Sequence, residues 1–176
     1  AIILAAGESR RMGVQNKLLL QIDSEVLIRK VVKSVSNSLV DAVLVVVGFE
    51  AEKIKAVLHD QAVKFVENPS YEEGMTTSIQ SGVKASSNES TGLMICLADM
   101  PFAETSDLNL LIQAFNDYRS TESSLIIVPV FQGKRGNPVL FSEVCRDKIL
   151  THNGEGCSEI VRQFPNYVKE VSMENE

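Results

Sequence analysis

Two places in the sequence gather side chains and backbone that could act on a phosphorylated ligand. The first is Ala5-Ala6-Gly7-Glu8-Ser9-Arg10-Arg11-Met12-Gly13, followed by Asn16-Lys17-Leu18-Leu19-Leu20. Gly7 lets the backbone turn and come close to a ligand, and the N–H groups of such a turn can cradle phosphate oxygens. Arg10, Arg11 and Lys17 place three of the chain's 17 basic residues beside it. In a chain of net charge -6, that concentration points to an anionic ligand such as a triphosphate. A tight turn carrying solvated cations is the alternative. The loop is not a Walker A loop, because no Gly-Lys-Ser/Thr occurs, and with only Gly7 and Gly13 it is not GxGxxG. The second place is Asp99, directly after the apolar run 93–98. A carboxylate at a strand's carboxyl end beside a phosphate loop suits magnesium, which takes one or two carboxylates plus phosphate oxygens and water. As a helix cap Asp99 is the weaker candidate, since Thr105 and Ser106 stand closer to the helix that follows Pro101.

Residues so placed need elements to carry them, and the apolar pattern supplies an alternation. Continuous apolar runs at 1–5, 42–47, 93–98 and 125–130 read as strands, the first two as buried ones, and 63–66, ended by Asn68-Pro69, reads as a further strand. Between them lie helical patterns at 24–38, with Leu27, Val31, Val35 and Leu39 on one stripe, and at 51–58 and 76–85. Leu108, Leu111, Ile112 and Phe115 stripe a further helix. After Val130 the rhythm changes. Gly133, Gly136 and Pro138 between two apolar ends suggest a hairpin, or a loop lying over the sheet, at 131–141. Short helices near 143–150 and 157–164 and a last strand at 167–171 follow. The alternation implies a three-layer α/β fold with a mostly parallel central sheet. In such sheets ligands bind beyond the carboxyl ends of the strands, where both the Gly7 loop and Asp99 fall.

Composition bounds the rest. One domain spanning 1–176 is expected from a length of 176 residues. A pI near 5.0 argues against general nucleic-acid binding, and 6% aromatic residues with no Trp leave no stacking platform for single strands. No apolar run approaches a membrane span, and no charged-then-apolar leader is visible. The chain starts at Ala1 without Met, which leaves an upstream segment open. Cys96, Cys145, Cys157, His59 and His152 show no zinc-ligand spacing. The odd, scattered Cys count fits a reducing cytoplasm, with the thiols as small buried hydrophobes. Met12, Met75, Met94 and Met100 read as packing residues.

The string GxSxRMG with a following NKLLL resembles the signature loop of the nucleotidyltransferases that activate molybdopterin, within a wider family of Rossmann-like fold. Three more stretches are similar in the same order. Glu67-Asn68-Pro69 with Gly74-Met75 and Ser78 resembles the family's NPxxxxGMxxS segment. Leu97-Ala98-Asp99-Met100-Pro101-Phe102 resembles its LxDMPF strand end, and Arg135-Gly136-Asn137-Pro138-Val139 its RGxPV substrate loop. Leu4-Ala5-Ala6-Gly7 and the NKLLL run resemble the cytidylyltransferase branch. The guanylyltransferase branch typically has a second Gly at the place of Ala6, a difference of one methyl group.

The resemblance implies a magnesium-dependent transfer of CMP from CTP to the terminal phosphate of molybdopterin or its molybdenum form, with release of pyrophosphate. Leu4, Ala5, Ala6, Gly7 and Ser9 would cradle the nucleotide, while Arg11 and Lys17 bind its phosphates and Asp99 holds magnesium. Asn68, Gly74 and Ser78 could hydrogen-bond a base edge and ribose, although turns and helix caps use the same residue types. Arg135, with Lys134, could meet the acceptor's phosphate and Asn137 its pterin. A molybdenum hydroxylase would receive the finished cofactor. Where the family shows GDxG, this chain has Asn153-Gly154-Glu155-Gly156, so an acidic residue is displaced. The family's acidic Asp-x-Asp stretch has no counterpart before Glu176. Two rivals stand beside this expectation. One is a guanylyl- or sugar-nucleotidyltransferase on the same fold; the other is a non-catalytic accessory protein that binds the cofactor and hands it to a hydroxylase.

Overall fold

The computed structural model describes residues 1–8 and 16–174. Its order is β1 (Ile2–Ala5), β2 (Gln21–Ile22), β3 (Glu25–Val26), α1 (Leu27–Ser36), β4 (Leu44–Val47), α2 (Ala51–Val57), β5 (Lys64–Glu67) and α3 (Met75–Ala85). Then come β6 (Gly92–Leu97), α4 (Thr105–Arg119), β7 (Ile126–Phe131), β8 (Lys134–Arg135), β9 (Val139–Ser142), α5 (Arg146–Leu150), α6 (Gly156–Gln163) and β10 (Val168–Ser172).

The main sheet runs β10-β7-β9-β6-β1-β4-β5, with β8 paired to β7. β1 pairs in parallel with both β4 and β6, so the chain builds outward to β5 and then returns to the other side of β1. That reversal opens a crevice at the carboxyl ends of β1 and β6, the usual place for a ligand in an open α/β sheet. Alternation along the strands sorts the core into two layers. Ile3, Ala5, Val45 and Val47 face α1, α2 and α4, whereas Ile2, Val46, Ile95 and Phe141 face α3, α5 and α6. Each such aliphatic side chain, fully buried, contributes ~1.5–3 kcal/mol. The three-layer, mainly parallel architecture expected from the alternation is thus present.

Several local expectations change. The helix expected at 24–38 begins only at Leu27, because Asp23 and Ser24 both adopt positive φ (51° and 74°). They close a two-residue hairpin between β2 and β3, a turn whose twist matches that of the strands. Leu39 lies beyond the end of α1 and is 57% exposed rather than part of the stripe. The segment expected as a hairpin or overlying loop at 131–141 is divided. Lys134–Arg135 does fold back on β7, but Val139–Ser142 enters the sheet antiparallel between β6 and β7. Its four residues are all buried, which a strand covered on both faces requires. The cap of α4 is Glu104, in a reciprocal capping box with Asp107; Thr105 Oγ1 instead donates to Ser34 O at 3.0 Å. Met75, expected as a packing residue, is exposed.

Candidate active site

Two cavities open at the carboxyl edge of the sheet. The first, about 710 Å³, is lined by Leu4, Ala6 and Gly7 from the end of β1, Lys17, Gly74 and Ser78 around α3, and Leu97 to Asp99 from the end of β6. This size lies within the ~300–1,000 Å³ typical of small-molecule sites. The second, about 570 Å³, lies between the Met100–Ala103 segment, the start of α4 and the Arg135–Pro138 loop. Asp99 lines both.

Local sequence explains each placement. Asn16 Oδ1 accepts from Leu18 N at 3.1 Å and opens a 3-10 turn at Lys17–Leu19. Leu18 is buried in the core, which leaves the neighbouring Lys17 side chain at the cavity. Its ammonium donates to Asp99 Oδ2 across 82 residues of sequence. The two side chains are 36% and 38% exposed, so the pair stays open to an incoming ligand. Gly7 is not in the left-handed region, and a Cβ built there would meet nothing within 4 Å among the described residues. Those residues do not demand glycine at that position; a ligand lying against the backbone would. Gly74 does demand it, with φ +115° at the start of α3.

Asn68 is buried and committed to the protein. Its Nδ2 donates to Thr77 Oγ1 and Ser78 Oγ, both at 2.9 Å, while its Oδ1 accepts from Ser70 N at 3.1 Å. It joins the Pro69 turn to the first turn of α3, and among the candidates named with it only Gly74 and Ser78 line the cavity. Ala5 faces the opposite layer of the core, one residue out of phase with Leu4 and Ala6, which both line the cavity. Arg135 and Asn137 line the second cavity together with Lys134. The Arg135 Nε donates to Glu170 Oε1 at 2.7 Å, which fixes the guanidinium against β10. Ser9 and Arg11, with Arg10, lie outside the described residues. The 153–156 stretch lines neither cavity; Thr76 Oγ1 ties it to α3 by bonding Gly154 O and accepting from Gly156 N at 3.0 Å.

Some lining residues carried no signal in the sequence. Glu8, Tyr71 and Glu72 stand at the first cavity, where burial and then the Glu72 and Glu8 carboxylates push the Tyr71 phenol above its ordinary value. Phe102, Asp107 and Phe131 stand at the second. Phe102 lay within the strand-end motif, but Asp107 looked like any acidic residue of a helix start.

The chemistry open to this edge is electrostatic. Burial pushes the Cys96 and Cys157 thiols up to about 12 and raises Cys145 as well, so none offers a thiolate near neutral pH. The described part of the first cavity carries Glu8, Glu72 and Asp99 against one ammonium, Lys17. A polyphosphate entering so acidic a surface needs added positive charge. Asp99 fits a hard divalent cation as one carboxylate ligand, with phosphate oxygens and water completing the shell. Among the described residues, no group of three or more His, Cys, Asp or Glu is placed to hold a metal ion. Among those residues, no helix is long and apolar enough to cross a membrane.

Comparison with known proteins bears on this arrangement. The Escherichia coli "Molybdenum cofactor cytidylyltransferase" is 28% identical over 145 residues, covering 82% of this chain and 70% of that protein. The Methanosarcina acetivorans "Probable molybdenum cofactor guanylyltransferase" is 27% identical over 122 residues, covering 67% of this chain but only 53%, about half, of that protein. Among solved structures, Rv0371c from Mycobacterium tuberculosis superposes with a TM-score of 0.86 at 19% identity, over 99% of this chain and 87% of that one, which establishes likeness of fold. The model of the MobA-like NTP transferase domain matches residues 1–169, from the first strand to the start of the last, and takes in every described lining residue of both cavities but Met173. The chain therefore belongs to the MobA-like NTP transferase family.

Proposed function

We propose that the chain transfers CMP from CTP to the terminal phosphate of molybdopterin, or of its molybdenum form, and releases pyrophosphate. The observation that carries this reading is the position of Asp99, which lines both cavities. A transferase must bring donor and acceptor to one point, and a charged group shared by two sites does that. The nucleotide would occupy the Gly7 cavity and the acceptor the Arg135–Asn137 cavity.

In the reaction an oxygen of the acceptor's phosphate attacks the α-phosphorus. A new P–O bond forms, the α–β bridging P–O bond breaks, and its electron pair leaves with pyrophosphate. The nucleophile is already ionised, so no general base is needed. Catalysis rests on alignment and on neutralising charge at the α-phosphate. Lys17 would turn from Asp99 to the phosphates, aided by Arg11. Backbone N–H groups around Leu4, Ala5, Ala6, Gly7 and Ser9 would hold phosphate and base. Ser78 and the Gly74 backbone would contact base and ribose, with Asn68 positioning Ser78 rather than touching the ligand. When bound, magnesium supplies Lewis acidity and a shared template for both phosphates; Asp99 is the residue that would hold it. Arg135, Lys134 and Asn137 would receive the acceptor, and a molybdenum hydroxylase would receive the product.

The choice of CTP rests on Ala6, whose buried side chain lines the first cavity. One methyl group discriminates by only ~1–3 kcal/mol. A GTP reading is favoured by the near-equal identity to a guanylyltransferase, 27% against 28%. Competition between labelled CTP and GTP, with molybdopterin as acceptor, tests the point. Preferential GMP transfer would overturn the cytidylyl reading, and transfer to a sugar phosphate alone would overturn the acceptor.

A further inference from the structure

We propose that the second cavity recognises a planar nitrogen heterocycle by its edge and face, with Asp107 accepting from the ring's N–H groups and Phe102 covering its face. The inference rests on the acceptor reading above and assigns its specificity to two residues of this chain.

Most of the wall is apolar. Leu108, Leu111, Pro129, Phe131, Pro138 and Met173 line the cavity, and that part of the wall offers a hydroxyl group no partner. A flat aromatic ring loses nothing there and gains burial. Phe102 stands in the same lining and is 69% exposed. The Lys30 ammonium lies over its ring, 5.6 Å from the centroid, so the ring is held at the cavity while much of its surface stays open for stacking.

Among the described residues, Asp107 contributes the one carboxylate of this cavity besides Asp99. Its Oδ2 accepts from Glu104 N at 3.3 Å. Oδ1 has no hydrogen-bond partner among the described residues. An ionised carboxylate only accepts, so it suits a ring edge that presents adjacent N–H donors, as the amino-pyrimidine edge of a pterin does. The same charge repels a phosphate. The acceptor's phosphate is then drawn to the cations of this edge, Lys134 and Arg135 in this cavity and Lys17 in the nucleotide cavity. One orientation thus serves both recognition and transfer.

Titration of the intrinsic fluorescence of 6-hydroxymethylpterin with the full chain tests this without any need for turnover. Asp107→Asn keeps an oxygen for the Glu104 N–H, so α4 should remain capped, while an amide N–H replaces one acceptor. Its pterin Kd should rise at least tenfold and that of Phe102→Ala severalfold, with Phe102→Tyr close to wild type and CTP affinity unchanged in all three. Phe102 is exposed, so its variants test the proposal even if Asp107→Asn folds poorly. No saturable quenching by the wild type, equal Kd values in wild type and both loss variants, or displacement of the pterin by N-acetylglucosamine 1-phosphate would each overturn it. Molybdopterin transfer by the wild type with pterin affinity unmoved by the variants would refute the inference and leave the transferase reading standing. The reverse pattern, weakened pterin binding in the variants of a protein that transfers nothing, would support the site and refute the transferase.

Discussion

Asp99→Asn separates a structural ion pair from a catalytic carboxylate. The substitution keeps shape and removes one negative charge. In the structure that charge faces the Lys17 ammonium, and the two side chains are 38% and 36% exposed. A pair so open to water contributes ~0–1 kcal/mol after screening. The amide oxygen can still accept from Lys17, so the thermal midpoint should shift by at most ~2–4 °C for a chain of this size. Loss of a preorganised electrostatic contact to the reacting phosphates is far larger, ~10²–10³ in turnover. The two expectations differ enough to be told apart in one preparation. Initial rates of pyrophosphate release would be followed against magnesium for wild type and mutant, beside thermal unfolding of both. The mutant should fold normally, turn over slowly and recover in part at high magnesium or with manganese, which also accepts carboxylate, carbonyl and water ligands. Superimposable magnesium curves with equal rates would refute the metal role of Asp99.

Lys17→Ala should lower turnover by ~10²–10³ with little loss of stability, and Lys17→Arg should rescue it only in part because a planar fork does not replace a point charge; near-normal rates in Lys17→Ala would contradict its place in the site. Gly7→Val should leave thermal stability almost unchanged, since a Cβ there meets no atom within 4 Å among the described residues, yet weaken CTP binding in equilibrium titration; unchanged affinity would show that the ligand does not approach Gly7. The three buried thiols should resist a thiol reagent in the native protein and react in denaturant, and reaction in the native state would contradict their burial. Because burial raises Cys96 and Cys157 from 9.0 to about 12, the unfolded chain releases these protons first; their contribution to stability is full below about pH 9 and is lost as the pH climbs toward 12. Denaturant midpoints should therefore fall over that window, and less steeply in Cys96→Ala.

Residues whose burial follows a simple period were legible in the sequence. The runs at 42–47 and 93–98 are apolar on both faces because helices cover both faces, and they hold β4 and all of β6 but its first residue, Gly92. Lys17 and Asp99 were legible as separate candidates, each from its own neighbourhood. Their meeting was not, because it depends on β6 returning beside β1, which joins residues 82 apart in sequence. Strand β9 was misjudged for a related reason. Glycine and proline before Val139 mark a turn, but nothing local says that the chain after the turn enters the sheet between β6 and β7. Asp23-Ser24 hid a hairpin because neither residue is the glycine that usually announces paired positive φ values. Asn68 illustrates a different limit. Its type suits a base contact and a turn equally, and only the bonds to Thr77, Ser78 and Ser70 N show how its amide is used. The second cavity was half legible: Arg135 and Asn137 stood in a motif, whereas Phe131 and Asp107 arrive from elements whose local pattern concerns packing and capping.

The most direct test of the central claim is pyrophosphate release, measured with magnesium, molybdopterin and each nucleoside triphosphate in turn, alongside quantification of the dinucleotide product. The account predicts that pyrophosphate and a cytidine dinucleotide of molybdopterin appear in equal amounts, fastest with CTP and only when both substrates are present. Tight binding of molybdopterin without pyrophosphate from any nucleotide would contradict it, and would leave a carrier of the cofactor in place of a transferase.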